Sequence, residues 1–139
     1  MATVSIIQPE FSSVEIPLYQ NNLRAGFPSP ADEYMGESID LNEYLISNKT
    51  ATFFAKVEGD SMINAGIFEG DLLVIDRSKK PVQNSVVIAA IDNEFTVKRL
   101  CLKEGIRLMP ENDDYEPIKL TGLLELKVWG VVTSVVRKL

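Results

Sequence analysis

From Thr52 onward, short apolar-rich runs of β-forming residues are broken by turn residues, a pattern that predicts β-strands. The runs are Thr52 to Val57, Asp71 to Asp76, Ser85 to Ile91, Glu94 to Leu102, Ile106 to Met109 and Leu126 to Val136. Between VVIAAI and EFTVKRL sits Asp92-Asn93. Both residue types tolerate the positive φ of a two-residue hairpin loop, so these two strands should be neighbours. The stretch SMINAG, residues 61–66, is long enough for about one helical turn closed by Gly66.

Residues 1–48 have a different texture. In AGFPSPADEY, Pro28 and Pro30 fix their own φ and push Phe27 and Ser29 towards extended shapes, so this segment cannot be a helix interior. In IDLNEYLI, Asp40 has the position of an N-cap and Glu43 follows three residues later, a capping-box spacing that supports a short helix. There is no internal repeat. The predicted organisation is an N-terminal arm followed by a β domain.

Composition narrows the setting. A chain of 139 residues, 45% hydrophobic and 24% charged, suits one globular domain that folds without disulfides or a structural metal. Its formal net charge of -6 opposes binding to phosphate backbones or anionic bilayers, so direct DNA binding is not expected. Arg77, Lys79 and Lys80 read as a solvated turn rather than a nucleic-acid patch. The single cysteine, Cys101, has no internal partner, the first twenty residues lack a secretory pattern, and no apolar run reaches the length of a membrane span. A cytoplasmic protein is expected.

The chain contains no histidine. That removes the Ser-His-Asp triad, the Cys-His pair and His-based zinc sites together. If the serine of Gly59-Asp60-Ser61 is a nucleophile, lysine is the remaining well-precedented base. A lysine at its ordinary pKa is neutral in only about one molecule in 2,500 at pH 7, a deprotonation cost of about 4.6 kcal/mol. Burial can remove most of that cost, so the base should sit among apolar neighbours.

Lys98 stands inside the predicted strand NEFTVKRLCL, whereas Lys79, Lys80 and Lys103 lie at turns. Strand alternation puts Thr96, Lys98 and Leu100 on one face and Phe95, Val97 and Arg99 on the other. From pattern alone the plainer reading is favoured, in which Lys98 or Arg99 marks the wet side of a half-buried strand. Ser61 likewise has a plain reading, as a polar turn residue whose hydroxyl caps the short helical turn. On the functional reading, main-chain N-H groups of Ser61 and Met62 at the start of that turn can stabilise an oxyanion.

Taken together, AGFPSPADEY, GDSMINAGIFEGDLLVID and EFTVKRL resemble the UmuD/MucA-type SOS mutagenesis proteins of the LexA-like self-cleaving serine peptidase family. The resemblance runs along nearly the whole chain. It implies a mainly β fold, a LexA/UmuD-like strand-rich peptidase domain over 49–139 with a short helix, preceded by a cleavable arm over 1–25 and a linker over 26–48. It implies Ser61 as nucleophile, Lys98 as general base, Ala25-Gly26 as the bond cut, and no metal or other cofactor. Small residues at Ala25 and Gly26 allow the backbone to approach a hydroxyl closely.

The implied partners are a second copy in a homodimer, the RecA filament on single-stranded DNA that stimulates the cut, and a Y-family DNA polymerase served by the trimmed form in translesion synthesis. LexA-like repressors carry a helix-turn-helix domain before the cut bond, and the 25 residues found here are too few for one. Two other functions fit the residues: an interaction module that no longer cuts, and a Ser-Lys peptidase acting on other proteins.

Overall fold

A computed structural model of the chain describes residues 3–7, 9, 12–19, 35–122 and 127–139. Ala25, Gly26, Pro28 and Pro30 lie outside these residues, as does Leu126 at the predicted start of the last strand. The chain forms two compact units, one of residues 10–45 and one of residues 1–9 with 46–139.

In the smaller unit, β2 (Glu15–Tyr19) pairs antiparallel with β3 (Met35–Asp40) after β1 (Thr3–Ile7) has gone into the larger one. The β2–β3 register shifts between Pro17 and Tyr19, next to a proline that has no N-H for the ladder. A short helix, α1 (Leu41–Leu45), follows at once. Its cap is the expected one: Asn42 N-H donates to Asp40 Oδ1 at 3.0 Å. The other carboxylate oxygen of Asp40 accepts from Ser13 Oγ at 3.1 Å.

The larger unit is one antiparallel sheet. After a 3₁₀ turn at Lys49–Ala51 come β4 (Thr52–Glu58), β5 (Leu72–Asp76), β6 (Val86–Ile91), β7 (Glu94–Cys101), β8 (Ile106–Met109), β9 (Ile118–Leu120) and β10 (Val128–Val136). The strand order is β1-β4-β5-β10-β6-β7-β8-β9, and Thr3 of β1 also pairs with Thr96 of β7. That last contact curls the sheet into a barrel-like closure, with β8 and β9 as an extension. The mainly β class is therefore met.

Asp92 and Asn93 connect β6 to β7 with φ values of 50 and 64°, both left-handed, as the hairpin requires. The register of β10 slips against β5 between Val132 and Ser134, and against β6 between Val128 and Gly130. Such bulges bend a strand, and here they let β10 turn as it passes between two neighbours. A Cβ on Gly130 would stand 2.5 Å from Ile75 Cγ2, so only glycine fits this crossing.

Two apolar clusters fill the unit. Ala55, Val57, Met62, Ile67, Leu73, Ile75, Ile88 and Val97 form the first, and Val87, Ala89, Leu100, Leu108 and Val131 the second. Strand β7 contributes to both, Val97 to one and Leu100 to the other, so it is covered on both faces rather than half-exposed. Among the described residues no helix is long and apolar enough to cross a membrane.

Candidate active site

Ser61 follows β4 on a turn opened by Gly59 at φ 88°. A 3₁₀ turn, Ile63–Ala65, comes next and ends at Gly66 in the left-handed region, whose N-H donates to Ile63 O at 3.0 Å. The turn is closed by main-chain bonds: Ile63, Asn64 and Ala65 N-H donate to the carbonyls of Asp60, Glu111 and Met62. The predicted single turn closed by Gly66 is present.

The hydroxyl of Ser61 faces Lys98. Their Oγ and Nζ lie 2.8 Å apart, although 37 positions separate them in the chain. Lys98 is 1% exposed and Ser61 0%. The favoured pattern reading, a wet strand face at Lys98, is thus corrected: β7 is buried on both sides, and Lys98 is the largest of the fully buried side chains. Arg99, on the other face, is only half-buried.

Two further oxygens surround the amine, Thr96 Oγ1 at 3.1 Å and the main-chain carbonyl of Val97 at 3.1 Å. Burial lowers the pKa of Lys98 from 10.5 to about 8. At pH 7 about one molecule in ten then carries a neutral amine. A neutral amine has two N-H donors and one lone pair. With Val97 O and Thr96 Oγ1 taking the two N-H groups, the lone pair is directed at the Ser61 hydroxyl, which donates to it. The arrangement can accept a proton from serine without any histidine.

The loop after β8 grips the Ser61 turn from outside. Glu111 N-H donates to Ser61 O at 2.8 Å, and Asn64 N-H donates to Glu111 O at 2.8 Å, a reciprocal pair. Asn112 Nδ2 donates to Asp60 O at 2.9 Å, and Tyr115 Oη donates to Asp60 Oδ1. Arg99, one residue after the buried lysine, binds Glu111 Oε1 through Nε at 2.6 Å and Asn84 O through Nη1 at 2.7 Å.

Beyond the turn, Asp71 is 1% exposed and receives the Nε and Nη2 of Arg137 together with the N-H of Phe68. These donors, the Arg137 hydrogen bonds first, hold its carboxyl below the usual carboxylate range. Arg137 Nη2 also donates to Gly66 O at 2.8 Å, and its guanidinium lies 4.6 Å from the centre of the Phe68 ring. Both ends of the segment from Asp60 to Asp71 are therefore anchored by distant residues.

Sequence reasoning brought together Ser61 and Lys98, and their atoms meet. Met62 is buried in the first core cluster beside them. Ala25 and Gly26 lie outside the described residues. Thr96, Glu111, Asn112, Tyr115, Asp71 and Arg137 were not singled out. Only Thr96 carried a signal, since it shares the strand face of Lys98. Among the described residues no cluster of three or more His, Cys, Asp or Glu side chains could hold a metal ion.

Ser61 and Lys98 thus meet, both buried, on a strand-built barrel in a chain without histidine. The sequence matches the Peptidase S24-like family over residues 17–133, and the chain belongs to that family. Among its relatives, the SamA protein of Salmonella typhimurium is 45% identical over 135 residues, 96% of this chain and 94% of SamA. The MucA protein of Escherichia coli is 44% identical over 119 residues, 85% of this chain and 82% of MucA. The LexA repressor of Clostridium perfringens is 37% identical over 116 residues, 83% of this chain and 57% of the repressor. The expected MucA-type and LexA-like resemblance is met.

Proposed function

We propose that this chain cuts itself between Ala25 and Gly26, with Ser61 as nucleophile and Lys98 as general base. The observation that carries the reading is the 2.8 Å approach of Lys98 Nζ to Ser61 Oγ in a fully buried setting. Ser61 Oγ attacks the carbonyl carbon of Ala25 as its proton passes to Lys98 Nζ. The oxyanion of the tetrahedral intermediate takes hydrogen bonds from the main-chain N-H groups of Ser61 and Met62. Lys98 then returns the proton to the Gly26 nitrogen, the C-N bond breaks, and Gly26 becomes a new amino terminus. Water, deprotonated by the same amine, hydrolyses the Ala25 ester and frees Ser61.

Tethering makes the substrate local, so a slow, single-turnover catalyst suffices. The cellular role we infer is that of an SOS mutagenesis protein in the cytoplasm. RecA on single-stranded DNA stimulates the cut, and the trimmed homodimer serves as accessory subunit of an error-prone Y-family polymerase in translesion synthesis. Support comes from membership of the family and from 44–46% identity to SamA, ImpA and MucA.

Incubation with RecA filaments, followed by amino-terminal sequencing, tests the reading. The product should begin at Gly26, and Ser61→Ala and Lys98→Ala chains should stay whole. A product from either variant would reject the dyad, and a different first residue would move the bond.

A further inference from the structure

The first strand closes the sheet. Residues Thr3 to Ile7 pair with Glu58 to Phe54 of β4 over five positions, and Thr3 bridges to Thr96 of β7. Without β1, β4 would present an unpaired edge and β7 would lose the neighbour that completes the closure. The slot between β4 and β7 reads side chains at alternate positions. Val4 and Ile6 face inwards opposite Val57 and Ala55 and pack against the first core cluster. Ile6 has room because its partner is as small as alanine. Ser5 and Ile7 are exposed, and Thr3 Oγ1 donates to Glu58 Oε2 at 3.3 Å on the outer face.

The position of the proposed cut gives this strand a second meaning. Ala25-Gly26 lies in sequence after β1 and β2 but before β3 and β4, the strands with which they pair. A break there removes no hydrogen bond of either ladder. It only turns a tethered strand pair into a separate peptide, whose occupancy then depends on concentration rather than on the chain.

We propose that the slot between β4 and β7 is a peptide-binding site, and that its ligand after cutting is the severed piece of residues 1–25. The piece stays bound as an added strand and leaves as a separate, reversible step. This is β-strand addition, with main-chain bonds giving affinity and the pockets for Val4 and Ile6 giving selectivity. The inference rests on the proposed cut site, but its test need not use the chain's own activity.

A full chain carrying a foreign protease site in place of residues 21–27 is nicked by that protease, so failure of self-cutting leaves the experiment intact. The nicked complex is then mixed with fluorescent peptide of residues 1–25. The two pieces should co-elute on size exclusion at high concentration, separate on dilution, and exchange with the labelled peptide, while the uncut chain takes up none. Peptide carrying Ile6→Asp should bind at least tenfold more weakly, and peptide carrying Ser5→Asp about as well as the parent. Loss of the piece at every concentration would overturn the proposal. So would a piece that never exchanges, equal uptake by uncut chain, or indifference to Ile6→Asp.

Discussion

Asn112 donates its side-chain amide to the main-chain carbonyl of Asp60 at 2.9 Å, across 52 positions of sequence. The same amide's oxygen accepts Asp114 N-H at 3.0 Å, so the loop that holds the Ser61 turn is itself folded around this one side chain. The serine is set by a main-chain frame rather than by its own strand.

Replacing Asn112 by alanine should therefore slow cutting more than it unsettles the fold. The lost hydrogen bonds cost about 1–2 kcal/mol, visible as a modest fall in the urea midpoint. The cutting rate should fall about tenfold, because a small displacement of a nucleophile is costly. An unchanged rate would remove Asn112 from the positioning frame.

Lys98 is a burden on stability when charged. Its folded pKa, about 8, lies below the unfolded value of 10.5. Between these values the unfolded chain binds more protons, so stability should rise with pH from about 8 to about 10.5 and be depressed below that window. A Lys98→Met chain should lack this rise and be more stable than the parent at pH 7, by up to roughly 3 kcal/mol. Parallel stability curves for the two chains would contradict the shift.

The same titration should govern the proposed cut. With Lys98 as base, the unassisted cutting rate should climb about tenfold per pH unit below about pH 8 and level off above it. A rate flat from pH 7 to 10 would point to another base.

Arg137 protects a buried carboxylate. Asp71 keeps a charge at 1% exposure because the guanidinium meets it on two sides. Arg137→Ala should cost about 1–3 kcal/mol in denaturant unfolding, since it leaves the buried Asp71 carboxylate without its half-exposed charged partner. In the parent chain the lowered Asp71 pKa contributes stability that is fully present above its ordinary 3.8 and is lost as pH falls through the folded value. An Arg137→Ala chain with parental stability near neutrality would contradict this role.

Much of the barrel was readable in the residues. Runs of β-forming residues bounded by turn residues located the strands from Thr52 to Met109 within a residue or two, because each run is short and sharply ended. Asp92-Asn93 and Gly66 announced positive φ by residue type, and all three residues have it. The absence of histidine left lysine as the candidate base for Ser61, and Lys98 Nζ and Ser61 Oγ meet. What stayed hidden is non-local. TVSII is too short and too mixed to declare itself a strand, and its place beside β4 is set by Val4 and Ile6 meeting Val57 and Ala55, 53 and 49 positions away. Ile118–Leu120 was likewise too short to notice. The pairing of Asp71 with Arg137 spans 66 positions and follows no local rule. Lys98 looked like a surface residue because strand periodicity cannot tell one covered face from two.

Ser61 and Lys98 belong to opposite halves of the sheet, and β10 stands between β5 and β6 as the stave that joins those halves. Val128–Val136 follows both Ser61 and Lys98 in the chain. Besides that late stave, the halves are tied by the Thr3–Thr96 pair and by the bonds of Glu111 and Asn112 to the Ser61 turn, so serine and amine share a frame drawn from four distant stretches of chain.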